Sequence, residues 1–242
     1  MWAKLVIGLL ISSPAWAWKY TQDFANGFYW QSLPISISVV DANPTRKSNL
    51  ERLSQMAIRE WERGTDLDLW VPVGSGTSNI IRWSDNFQAE TNMDPLSVLA
   101  VAIRYTGGPY FARTEIIVNG SHPFNQNDVY LLTTLTHELG HTMGLDHSDH
   151  MEAIMAPTLQ MNFQGVQIDD VRGMRQAYQE TQNRQVTGFV SPLAYEDEEE
   201  TNAMSCATVA PVASTSSSFA SLGAGLLIAF VRKLLKWVKS LF

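Results

Sequence analysis

One cysteine in 242 residues, Cys206, excludes an intramolecular disulfide and any paired-cysteine zinc or redox motif. Positive charge is also scarce. Lys and Arg number 17 against 24 Asp and Glu, a net charge of −7, so no basic face is available to neutralise phosphates and nucleic acid is excluded as a partner. No uncharged apolar run reaches the ~20 residues that cross a bilayer without strain. What the chain does have is 45% apolar residues and only 17% charged ones, enough to fold one domain of ordinary size.

Both ends read as addresses. Met1 to Ala17 has a positive start at Lys4, an apolar stretch Leu5 to Ile11 and a small-x-small end, Ala15-Trp16-Ala17, which predicts a signal peptide over 1–17 and export from the cytoplasm. The competing reading is a buried first element. At the other end, 184–216 is expected to be an acidic and Ser-rich linker, containing Glu196 to Glu200 and Ser214 to Ser218. The final segment, 217–242, turns apolar at Phe219 to Val231 and then basic at Arg232, Lys233, Lys236 and Lys239. That order is a stop-transfer pattern, so membrane attachment through the tail is expected, with an interfacial helix or a helix packed on the domain as alternatives. The layout of Cys206, apolar segment and basic end also resembles the C-terminal sorting signals of bacterial surface proteins. On that reading Cys206 is a processing or lipid-attachment point, and otherwise an inert thiol.

Between the ends, 18–183 is the expected folded domain. Pro34 to Val40 alternates as a strand, and Asn79 to Trp83 and Phe111 to Val118 read as two more. Ser48 and Glu51 form a capping-box pattern ahead of Leu50, Leu53, Met56, Ala57 and Trp61, with Gly64 as the helix stop. Asn127 or Asp128 caps a helix through Met143, and Asp169 or Asp170 starts another that ends near Gln182. The fold class expected is α/β, with helices gathered against a mixed sheet.

The chemistry lies in HELGHTMGLDHSDH, residues 137–150. On a helix His137 and His141 project about 40° apart in azimuth, so their imidazoles can meet one ion. Glu138 sits at the edge of that face, misplaced as a ligand but placed to hydrogen-bond a water on the metal. Gly144 permits the turn that returns His147 as a third nitrogen ligand. Three neutral imidazoles with one position left open suit one catalytic Zn2+, whereas a structural zinc is closed by a fourth protein ligand. Five fixed positions at this spacing arise by chance on the order of once in 10⁵ chains of this length. His122 and His150 lie outside the pattern and are expected at the surface or behind the ligands.

HELGHTMGLDH resembles the metzincin signature, and Ser148 after the third histidine resembles its matrixin branch. Met155 in AIMAP is similar to the family's Met-turn methionine, a floor beneath the ligands, and Pro157 replaces the tyrosine ligand of the astacin branch. The resemblance implies an α+β metzincin-like fold with a mixed twisted sheet, an antiparallel edge strand, an active-site helix and a C-terminal helix. It implies a zinc endopeptidase in which Glu138 is the general base and the substrate is a protein or peptide lying antiparallel to an edge strand, here expected within Phe111 to Val118. Ala156 to Val166 would line the pocket beyond the scissile bond. No histidine occupies Leu99 to Val101 or Thr114 to Asn119, so the family's second, structural zinc is not expected. Calcium is left open, with Asn119 where the family has an aspartate. No cysteine precedes the motif, so the family's cysteine switch is excluded. Two other readings stand beside this one: a catalytically silent zinc-bearing binding module displayed at the cell surface, and a membrane-active tail fused to a scaffold.

Overall fold

Asn43 and Pro44 begin the long helix on which the domain is built. In the computed structural model, which describes residues 17–158, 163–195 and 202–208, helix α2 runs Pro44–Thr65, following the short helix α1, Gln22–Ala25. The Asn43 side chain accepts the N–H groups of Thr45 and Arg46 at 3.0 and 3.1 Å. An asparagine cap followed by proline at the first helical position is a stronger start than the Ser48–Glu51 box expected from the sequence, and those two residues lie inside the helix. The expected stop at Gly64 is also displaced. The left-handed residue is Asp66, at φ 57°, and Gly64 serves packing: a Cβ there would meet Val166 at 2.4 Å.

Seven strands form one sheet: β1 Tyr29–Trp30, β2 Ile35–Val40, β3 Trp70–Pro72, β4 Ile80–Ser84, β5 Val98–Gly107, β6 Tyr110–Asn119 and β7 Asn202–Thr208. The order is β3-β2-β4-β6-β5-β7, with β1 pairing on one end of β6. All pairings are parallel except those β5 makes with β6 and with β7, so the sheet is mixed as expected. A short helix α3, Phe87–Thr91, follows β4, and the remaining helices are α4, Asp128–Thr142, and α5, Ile168–Thr187.

The core lies between α2 and α4 on one side and the sheet on the other. Leu50, Leu53, Ala57 and Trp61 of α2 and Leu131, Leu135 and Leu139 of α4 pack with Ile37, Val39, Ile81, Ile116 and Val118. Ala100 and Ala102 of β5 face this core, whereas their neighbours Val101 and Ile103 face a smaller cluster with Phe87, Val98 and Ile117 on the opposite side. β5 is therefore buried on both faces and carries a continuous apolar run without alternation, which is why it was not among the strands read from the sequence.

The described residues all fall in one compact unit that ends at Ala210. None of their helices is long and apolar enough to cross a membrane. Residues 1–16 and 209–242, which include nearly all of the expected signal peptide and the apolar–basic tail, lie outside the described residues. The stretch 184–216 expected as a linker holds the end of α5 and the whole of β7.

Candidate metal centre and active site

Helix α4 is buried from Leu131 to Thr142, an unusual setting for a segment with four threonines and two histidines. Its polar groups are satisfied locally. Thr133, Thr134 and Thr136 each donate to the carbonyl four residues back at 2.7–2.9 Å. Three tryptophans then fix the helix from outside: Trp61 Nε1 donates to the Thr136 carbonyl, Trp30 Nε1 to that of Thr142, and Trp70 Nε1 to Thr142 Oγ1. The helix stops where expected. Gly144 adopts φ 93°, and a Cβ there would also strike the Phe24 ring at 2.5 Å.

That turn brings His147 back towards His137 and His141. One ring nitrogen from each of the three lies within 4.8 Å of the other two, and among the described residues this is the one cluster of three such groups able to hold a metal ion. His137 Nδ1 lies 2.7 Å from the Ile154 carbonyl, and His141 Nδ1 lies 2.7 Å from that of Leu145. A carbonyl only accepts, so both Nδ1 atoms carry the proton and both Nε2 atoms present lone pairs. Those two Nε2 atoms are 3.0 Å apart, close to the ~3.3 Å of two nitrogens ~2.0–2.1 Å from a tetrahedral zinc. Burial, reinforced by the neighbouring imidazoles, pushes His137 down to about 3 and His141 well below the usual range. Both rings are therefore neutral, as ligation requires.

Glu138 is fully buried one residue along the helix. Its Oε1 accepts the N–H of Ala207 at 2.8 Å, and its Oε2 is buried without a hydrogen-bond partner among the described residues. Desolvation raises its pKa to about 8 against the smaller opposing pull of the Ala207 and Ala102 backbones and the Arg104 charge. An unpartnered buried carboxylate oxygen thus lies one helical residue from a cluster of three converging imidazoles, a set of groups suited to holding a metal ion.

Met155 is 1% exposed and its sulfur lies against α4 at Gly140, where a Cβ would stand 2.4 Å from Sδ. The missing side chain at Gly140 is what lets Met155 pack this closely against the helix. The loop carrying Met155 is held by α5. Asp170 accepts the N–H groups of Ile154, Met155 and Gln167 at 2.8, 3.0 and 2.7 Å, and Asp169 accepts the Ser148 hydroxyl at 2.7 Å. From the sequence these aspartates read only as a helix start; their role as clamps depends on contacts 15 to 21 residues away. A second support is equally non-local. Arg104 of β5 pairs with Asp23 of α1 at 2.7 Å, both buried, and its Nη1 donates to the His141 carbonyl at 2.8 Å.

Two expectations need correction. Phe111 to Val118 lies inside the sheet, between β4 and β5, so it offers no free edge; the outer side of β5 does, and β7 lies along it. His122 is buried rather than exposed, its Nδ1 accepting the Phe124 N–H and its Nε2 lying 3.2 Å from the Leu96 carbonyl. Asn119 ties a turn together, donating to the Pro95 and Val98 carbonyls and accepting from Ser121. Cys206 faces the smaller apolar cluster, and burial, with the Glu138 charge, raises its thiol to about 11. In the loop Ala156 to Val166, residues 159–162 lie outside the described residues.

A helix bearing two histidines, a glycine turn returning a third, and a methionine packed against that helix form a site that fits one zinc ion. The comparisons with known proteins agree. The matrixin family model matches residues 29–179, well over half of the chain, and the chain belongs to that family. It is 27% identical over 160 residues to matrix metalloproteinase-20 of Homo sapiens, covering 62% of this chain and 32% of that protein. It is 38% identical over 140 residues to matrix metalloproteinase-15 of Homo sapiens, covering 50% and 20%, and 34% identical over 121 residues to matrix metalloproteinase-19 of Mus musculus, covering 49% and 20%. The chain thus spans a third or less of the length of these relatives.

Proposed function

We propose that this chain is an exported, surface-attached endopeptidase in which His137, His141 and His147 hold one zinc ion and Glu138 is the general base. The observation that carries the reading is the convergence of three imidazole nitrogens beside the unpartnered Glu138 Oε2. When bound, zinc supplies a Lewis acid that acidifies a water molecule and polarises a carbonyl. Glu138 takes the proton of the attacking water on Oε2, which has no hydrogen-bond partner among the described residues, and delivers it to the leaving amine. Gly144, Met155, Asp169 and Asp170 position the ligands without touching the substrate. The peptide pairs antiparallel with the outer edge of β5, backbone hydrogen bonds giving affinity and side-chain pockets specificity. Export and attachment rest on the signal-like 1–17 and on the apolar and basic order of 217–242.

Glu138→Gln tests the assignment. Zinc content should remain one per chain while cleavage of a peptide library falls at least a thousandfold. Undiminished cleavage would remove Glu138 from the reaction. A wild-type chain that binds zinc and cleaves nothing would instead be the silent binding module.

A further inference from the structure

Strand β7 comes from the region after α5, and it runs antiparallel along the edge of β5 in the register Ala102↔Ser205, Val101↔Cys206 and Ala100↔Ala207. Beyond Ala207 the register shifts, so that Thr208 stands opposite Val98. The other side of this strand is also engaged. Thr208 bridges in parallel to Thr158, and its N–H and hydroxyl both donate to the Pro157 carbonyl, just past the methionine loop. β7 therefore lies between an antiparallel edge strand and the loop that follows Met155.

One peptide bond of this strand is addressed at both ends by the site. The Cys206 carbonyl oxygen is 2.9 Å from His147 Nε2, among the converging imidazoles, while the Ala207 N–H donates to Glu138 Oε1 at 2.8 Å. The side chains on either side of this bond diverge. Cys206 packs into the smaller cluster on the far face of the sheet, and Ala207, 2% exposed, points towards α4. No other described peptide bond combines a carbonyl on this triad with an amide on Glu138.

We propose that the chain is its own substrate: β7 occupies the peptide groove in cis, and the same molecule hydrolyses the Cys206–Ala207 bond. The inference rests on the peptidase reading and extends it. One water is consumed. Its oxygen joins the Cys206 carbonyl carbon, the bond from that carbon to the Ala207 nitrogen breaks, and Glu138 carries the proton to the departing amine. The chain then ends in a Cys206 carboxylate, and Ala207–Phe242 leaves with a new α-amino group, taking the apolar and basic segment with it. Until that cut, the groove is closed to other peptides, because the edge of β5 can pair with only one strand at a time.

The test uses the full chain, prepared free of metal. Amide hydrogen exchange of the metal-free protein should show residues 203–208 protected, and Ala207→Arg, which forces a long cation into a buried position, should abolish that protection while the amides of α2 and α4 keep theirs. Zinc is then added and intact masses are followed. The wild type should split between Cys206 and Ala207 at a rate unchanged by tenfold dilution, Glu138→Gln should stay whole with β7 protected, and Ala207→Arg should split there at least tenfold more slowly. Unprotected 203–208 amides, a rate that falls with dilution, or an intact Cys206–Ala207 bond in a preparation that cleaves added peptides would each overturn self-cleavage while leaving the peptidase reading standing. Zinc binding with neither added peptides nor the chain cut would overturn the peptidase reading and this inference together.

Discussion

Gly140 shows how closely the positioning side chains approach the triad. A methyl group there would stand 2.4 Å from Met155 Sδ and 2.9 Å from Trp61 Cζ2, both in the core. Gly140→Ala gains about 1 kcal/mol of helix propensity, but overpacking of this kind costs about 1–3 kcal/mol. A net loss of stability of about 1–2 kcal/mol in urea titration is expected, and a gain would mean that the methionine floor is loose. Asp170 is a second case. Burial raises its pKa to about 6 against the pull of three backbone N–H groups. The unfolded value lies near 3.8, so the native state holds this proton more tightly than the unfolded chain does. The sign follows: the contribution of Asp170 to stability is greatest below about pH 4 and falls by up to about 3 kcal/mol as pH rises through 6. A carboxyl carbon NMR titration should find its midpoint near 6, and a midpoint near 4 would contradict this. Asp170→Asn removes the pH dependence but turns an amide N–H₂ onto backbone donors, and a loss of about 2–3 kcal/mol is expected by thermal unfolding.

At the scale of elements, the lesson is how helix α4 is held. Its own sequence supplies the cap at Asn127, the stop at Gly144 and the ligand spacing, and these were legible because each depends on neighbours within a few residues. The partners that orient it were not legible. Trp30, Trp61, Trp70 and Arg104 reach it from 37 to 112 residues away, measured as the bonds run, Asp23 in turn holds Arg104, and no local pattern marks any of them. The buried pair of Asp23 and Arg104 can be tested directly. Arg104→Met leaves Asp23 charged and buried, and a loss of about 3–5 kcal/mol is expected. Adding Asp23→Asn should recover part of it, and a strictly additive pair of losses would mean that the two residues do not act together. The start of α2 was misread for a related reason: Ser48 and Glu51 fit a capping pattern, but Asn43-Pro44 upstream fits a better one.

For the whole molecule, the fold class and the triad follow from the sequence, whereas the placement of β7 does not. Its seven residues are small and mildly polar, follow an acidic run and carry no alternation strong enough to announce a strand, so only the open edge of β5 gives them one. Metal binding is the molecule-wide term. An ion that binds only the native state at a thousand times its Kd adds about 4 kcal/mol. Chelation should accordingly lower the thermal midpoint by several degrees, and zinc but not magnesium should restore it, because three imidazoles suit the softer ion.

Zinc-edge X-ray absorption of the loaded full chain tests the assignment of the centre most directly. Three nitrogens at ~2.0–2.1 Å and an oxygen at a similar distance are expected, the set formed by His137, His141, His147 and one exchangeable or carbonyl oxygen. A sulfur at ~2.3 Å, which would put the Cys206 thiol on the metal, or a fourth protein nitrogen closing the site, would contradict the account.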